Sequence, residues 1–188
     1  MKNIERCFIS PQIITLHNKK ALLEKYINHL QKNTNIVLET VEGYPIEYLT
    51  KKKSSEWSVM EILEHIYLAD KVIHRIVSTP SDNAFANKEI LGRQKLETIL
   101  VGHQYVKVQS PDILQPKGRF KNLAEFNFAF SSLRETIQND LVTKKIVVDN
   151  RIHNHPLLGE MTILDWLNFI LYHTERHLNQ IKRTVANN

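Results

Sequence analysis

Apolar residues recur at helical spacing in four stretches of the chain, and nowhere does the strict alternation of a half-buried strand, with its Asn-Gly or Asp-Gly turns, persist. Across about residues 17–42, Leu22, Leu23, Tyr26, Ile27, Leu30, Val37, Leu38 and Val41 fall on one side of a helix stepped at about 100° per residue, and Gly43-Tyr44-Pro45 stops it. The second stretch, about 58–79, starts sharply. Ser58 with Glu61 three residues on makes a capping box: the hydroxyl accepts from a free backbone N–H while the carboxylate reaches back to another. Its stripe is Val59, Ile62, Leu63, Ile66, Ile73 and Val77, and Pro80 ends it.

Between 81 and 118 the pattern fades to a short helical patch near 93–101, followed by the turn chemistry of Ser110-Pro111 and Pro116-Lys117-Gly118. Asn122 with Glu125 caps a third helix over about 122–142, where Leu123, Phe126, Phe130, Leu133, Ile137 and Leu141 keep to a narrow arc. Residues 146–151 read as a short extended piece, and His155-Pro156 with Gly159 as a turn. Thr162 with Asp165 opens the last helix, about 162–184. Its Ile163, Trp166, Leu167, Ile170, Leu178 and Ile181 face inward, and Glu175, Arg176, Lys182 and Arg183 face outward. The expected fold is all-α: a four-helix bundle with a long, mostly irregular crossover between the second and third helices, forming one domain over residues 1–188.

Composition narrows the class. With 188 residues, 42% of them hydrophobic and 24% charged, the chain can bury a sizeable core, about 70% of its unfolded surface for this size. No apolar run approaches the roughly 18–20 residues that cross a bilayer, and the N-terminus lacks the apolar stretch of a secretory signal, so the cytoplasm is the expected compartment and no membrane partner is expected. The single cysteine, Cys7, excludes an internal disulfide and any multi-cysteine zinc site. A net charge of +5 is modest, and Lys51-Lys52-Lys53 has no interleaved aromatics, so the run reads as a solvated loop and no nucleic-acid partner is expected. Phe128, off its helix's buried stripe, points to self-association as a homodimer.

Nine histidines are the unusual count. His173 and His177 lie four residues apart, about 40° around the axis, inside the arc that also holds Trp166, Ile170 and Ile181. Inward imidazoles at this spacing can chelate one divalent metal. His65, at the edge of the second helix's apolar arc, is a third candidate that could look across the bundle. Three imidazoles leave positions open to a ligand, the pattern of a catalytic rather than a structural site. The competing reading is a set of hydrogen-bonded core histidines, because H-x-x-x-H pairs also arise by chance on helices. Thr174 stands where H-E-x-x-H needs glutamate, which excludes the zincin protease route.

The run Trp57-Ser58-Val59-Met60-Glu61-Ile62-Leu63-Glu64-His65-Ile66, the later Pro116-Lys117-Gly118-Arg119-Phe120, and His155-Pro156-Leu157-Leu158-Gly159-Glu160-Met161-Thr162 leading to Asp165-Trp166 and His173-x-x-x-His177-x-x-Gln180 together resemble the DinB/YfiT-like superfamily. The likeness extends roughly from the first helix to Lys182. It implies a four-helix bundle that holds a divalent metal through His65, His173 and His177, with Zn or Ni expected first and Fe or Mn next. Members with known activity include thiol S-transferases using bacillithiol or glutathione-like cofactors and a mycothiol-dependent isomerase. The resemblance therefore implies a metal-dependent thiol S-transferase acting on a small electrophile, with a low-molecular-weight thiol as co-substrate. The alternatives are a metal-dependent hydrolase and a non-catalytic bundle that binds a metal or a small molecule.

No general base or nucleophile is evident from the sequence. Asp70 projects to the middle of the second helix's apolar face and needs a partner, either a ligand histidine or, as the preferred reading, another core polar group or His74. Gln180, one turn beyond His177, could orient a ligand. His153 and His155 flank Asn154 just before the last helix, where a loop could close over the bundle mouth, and Trp57 and Trp166 read as core or pocket walls.

Overall fold

A computed structural model describes residues 11–53, 56–81, 86, 90–103 and 109–187, with side chains from Lys20 to Ala186. Cys7 lies outside the described residues. Four long helices, α1 (Pro11–Val41), α3 (Val59–Val77), α5 (Leu123–Val142) and α6 (Ile163–Asn187), form the bundle. Short helices α2 (Ile46–Leu49) and α4 (Gly92–Glu97) lie in the connections. Helix α6 packs on α1, α3 and α4, while α5 packs on α1 and α3. Among the described residues no helix is long and apolar enough to cross a membrane.

The helix starts obey their caps. Ser58 Oγ accepts from Glu61 N–H at 3.3 Å and the Glu61 carboxylate accepts from Ser58 N–H at 2.9 Å, closing the box. Asn122 Oδ1 accepts from Glu125 N–H at 2.9 Å. At α6 the Asp165 carboxylate accepts from Thr162 N–H and, across the fold, from Ile90 N–H at 3.1 Å and Gly92 N–H at 2.7 Å. One acidic side chain thus caps α6 and ties the start of α4 to it. After α1, Gly43 takes φ +80°, the left-handed turn that the stop required.

The structure differs from the sequence reading in three places. Strand signal was absent, yet β1 (Ile152–His155) and β2 (Gly159–Thr162) pair antiparallel as a small hairpin before α6, one step beyond the extended piece expected at 146–151. Four-residue strands are too short to show alternation. The helical patch expected near 93–101 is present: α4 and a following π turn, Thr98–Gly102, bury Leu96 and Leu100 against α6. Arg176, assigned outward, donates instead to the carbonyls of Leu100 and His103, because the crossover covers that face. Leu22, placed on the α1 stripe, is 41% exposed. Lys51, Lys52 and Lys53 are exposed, as expected, and Lys52 pairs with Glu61 at 2.7 Å.

The core is divided. One apolar cluster gathers Leu30, Ile73, Ile137 and Ile170; the other gathers Val37, Ile66, Phe130 and Leu178. Between them each long helix contributes a buried polar residue: Asn33 from α1, Asp70 from α3, Arg134 from α5 and Thr174 from α6. Arg134 donates through Nε to Asp70 Oδ2 at 2.6 Å, through Nη1 to Asn33 Oδ1 at 3.2 Å and through Nη2 to Thr174 Oγ1 at 2.8 Å. Its guanidinium carbon also lies 4.7 Å from the centre of the Phe130 ring. Asp70 therefore has its core polar partner, and His74 pairs elsewhere, with Asp140 at 2.8 Å. Burial pushes the Asp70 carboxyl up to about 6, against the lowering pull of Arg134's charge and hydrogen bond.

Candidate metal centre

His65 enters the bundle from the second turn of α3, and His173 and His177 from successive turns of α6. All three are at most 8% exposed. Their Nε2 atoms converge: His173 Nε2 lies 3.3 Å from His65 Nε2 and 3.2 Å from His177 Nε2. One ligand atom from each ring falls within 4.8 Å of the others.

The opposite ring nitrogens explain the convergence. His65 Nδ1 lies 2.9 Å from the Leu114 carbonyl oxygen, which can only accept, so this nitrogen carries the proton. His177 Nδ1 likewise donates to Gln180 Oε1 at 2.8 Å. Both rings are thereby fixed in the tautomer whose bare Nε2 lone pair points to the common centre. Only His173 is left to place a proton between them, and a single N–H can satisfy only one of the two lone pairs. A cation at the centre would be met by all three. His173 Nδ1 is buried without a hydrogen-bond partner, and its ring is held by stacking on Phe169, 5.3 Å away at an interplanar angle of 17°.

Charge points the same way. Burial lowers the pKa of His65; it lowers His173 well below the usual imidazole value, with His177 and His65 adding to the effect; and it pushes His177 down to about 3. The site thus presents three neutral imidazoles at pH 7, the form in which imidazole ligates a metal. No carboxylate or thiol joins the cluster among the described residues, so three protein donors leave further coordination positions open.

The wall around His65 comes from the crossover, through a residue the sequence reading passed over. Glu64 is 4% exposed, and its carboxylate accepts from three successive backbone N–H groups, those of Lys117, Gly118 and Arg119, each at 2.9 Å. Gly118, at φ +75°, lets the chain wrap this carboxylate. Glu64 thus docks the Pro116–Phe120 run on α3, and the turn just before that run supplies the Leu114 carbonyl that orients His65. The signal was present as Glu64 beside His65 and the later Pro-Lys-Gly-Arg, two pieces whose connection is spatial. Trp57 packs 4.9 Å from His65 as a pocket wall. Trp166 is core, with its indole N–H donating to the His153 carbonyl. His155 packs on Trp166 and Phe169, and His153 keeps a buried, unpartnered Nε2. A cleft of about 390 Å³ is lined by Glu64, Leu68, Ile113, Gln115, Lys117 and Arg119 and includes none of the three histidines.

The fold is a four-helix bundle in which three neutral imidazoles converge from two helices and could hold a metal ion. Residues 29–181 match the family model of the DinB superfamily, and the chain belongs to that superfamily. It is similar to the uncharacterized protein YuaE of Bacillus subtilis (strain 168), with 28% identity over 143 residues that cover 76% of this chain and 86% of that protein. A solved structure described as TT2238, a four-helix bundle protein, is similar in fold. Its TM-score is 0.55 at 16% identity, covering 86% of this chain and 98% of the other.

Proposed function

We propose that the protein is a metal-dependent enzyme that transfers a low-molecular-weight thiol to a small electrophile, with His65, His173 and His177 as the metal ligands. The metal reading is carried by one observation: three Nε2 atoms meet within ligand distance of one another while two of the rings are fixed from behind by Leu114 O and Gln180 Oε1. Zn or Ni suits a set of three neutral nitrogens, with Fe or Mn next. Bound there, a divalent cation supplies Lewis acidity that lowers the pKa of a thiol or a water taking an open position.

The chain's own residues hold the ligands, exclude bulk water and shape the approach. Phe169, Trp57 and the docked 112–120 segment wall the pocket. The choice of a thiol over water rests on the resemblance to the thiol transferases of the superfamily, since a cation with an open position would acidify either. The test is metal analysis of protein purified without a histidine tag, followed by assays of the metal-loaded form with small electrophiles in the presence and absence of bacillithiol-like and glutathione-like thiols. Thiol-dependent consumption of the electrophile is the expected result; turnover in water alone would favour a hydrolase, and no turnover a non-catalytic bundle.

A further inference from the structure

His155, beside the site, has its hydrogen-bonding role set by the hairpin turn that carries it. Its Nδ1 accepts two backbone N–H groups, Leu157 at 3.1 Å and Leu158 at 3.2 Å, where the β1–β2 hairpin turns. An acceptor nitrogen carries no proton, so in the neutral ring the proton is on Nε2. Nε2 has no partner among the described residues, and the ring is only partly buried. The ring rests on Trp166 and on Phe169, at 5.3 and 5.1 Å, and Phe169 is the ring on which His173 stacks. One aromatic ring therefore separates His155 from the histidine cluster, close enough for its charge to bear on His173. Burial lowers the His155 pKa, which keeps the ring neutral at pH 7.

We infer that His155 presents its Nε2–H at the rim of the histidine pocket as a fixed hydrogen-bond donor to an anionic ligand occupying the open side of the site. The inference rests on the metal reading above and deepens it. The hairpin then has a purpose that packing alone does not give it. Its turn holds Nδ1 by two N–H groups, which fixes both the tautomer and the orientation of the ring, and its strands deliver the donor to the start of α6. A donor whose orientation is set in advance loses little entropy when it binds. The ligand class is a small anion with an electron-rich acceptor atom, such as a thiolate or carboxylate.

The experiment uses the full chain loaded with Co²⁺, whose visible absorption reports the site, and titrates azide as the anionic probe. His155→Asn is the informative variant: its amide oxygen can still accept the backbone N–H groups two and three residues on, as in an Asx turn, while its NH2 group sits where the ring carries Cδ2 and leaves no donor at the position of Nε2. His155→Phe keeps the ring packing and removes both nitrogens. Both variants should bind Co²⁺ like the wild type yet take azide roughly tenfold more weakly, the usual loss for a hydrogen bond to a charged group. Unchanged azide affinity in both overturns the inference. Weakening in His155→Phe alone also overturns it, because that pattern reports the turn and not the donor. A cobalt-loaded wild type that takes no azide removes the open position and the inference with it. A wild type with no cobalt spectrum contradicts the metal reading itself, a failure visible before azide is added.

Discussion

Two buried polar clusters share α3 and α6, and they are finished in opposite ways. Around Arg134 the charges belong to the chain: one guanidinium, one carboxylate, an amide and a hydroxyl, drawn from four helices and joined by hydrogen bonds of 2.6–3.2 Å. Around His173 the chain supplies three lone pairs and, at pH 7, no charge to balance them. The first cluster pairs its charges internally, with Asp70 Oδ1 alone left unpartnered, and matches four helices at one level between two apolar clusters. The second brings together uncharged ring nitrogens that a cation could meet. A closed network that balances its own charge serves the fold, and an open set of converging uncharged donors offers a candidate site.

Breaking the closed cluster should have the largest effect. Arg134→Leu leaves Asp70 buried and unpaired, and urea denaturation should show a loss of about 3–5 kcal/mol, the usual cost of orphaning a buried charge. The double variant Asp70→Leu, Arg134→Leu should recover much of that loss, since an apolar layer needs no partner; a double variant no better than the single one would show that the layer does more than balance charge.

On the open cluster, a change behind the ligands should spare the fold and lower metal affinity. Gln180→Leu removes the acceptor that orients His177, and titration calorimetry should record metal binding weaker by about 10- to 100-fold with an unchanged thermal midpoint of the metal-free protein. Unchanged affinity would mean that the 2.8 Å contact does not set the His177 ring.

Acid distinguishes the clusters more gently. The triad imidazoles have folded-state values below 6.5, so as the pH falls below that value the unfolded chain takes up protons the folded chain refuses, and stability drops. Asp70 works with the opposite sign. Its raised value makes the folded chain the better proton binder between about 3.8 and 6, so its contribution grows as the pH falls through that window. Chemical denaturation of the metal-free protein should therefore show a loss of about 1–2 kcal/mol between pH 7 and pH 6, where the three imidazoles outweigh the one carboxyl of Asp70. A flat profile there would mean that the three rings are not held neutral by the fold.

The sequence carried the helices and the three histidines because both depend on local spacing: caps such as Ser58 with Glu61, and His173 four residues before His177. It carried less of what joins distant segments. Glu64 reads as one more acidic helix residue until the 117–119 backbone folds over it, and Asp165 reads as a cap although it also holds Ile90 and Gly92. The polar layer was visible in part. Three apolar stripes have a break at their middle, between Leu30 and Val37, Ile66 and Ile73, and Ile170 and Leu178, and Asn33, Asp70 and Thr174 sit in those breaks, whereas Arg134 follows Leu133 on an unbroken stripe. Asp70 stood out because it lay on an apolar face. Arg134 did not, since a long basic side chain on a helix is ordinarily read as solvated.

The most direct test of the open cluster is His177→Ala, studied by metal titration and thermal unfolding together. The wild type should bind one divalent ion per chain, with Co²⁺ giving the spectrum of nitrogen ligation. The variant should lose that binding while it keeps its helical circular dichroism and a cooperative melt, because the apolar clusters and the Arg134 network do not depend on this imidazole. A wild type that takes up no metal, or a His177→Ala variant that binds as tightly as the wild type, would contradict the account.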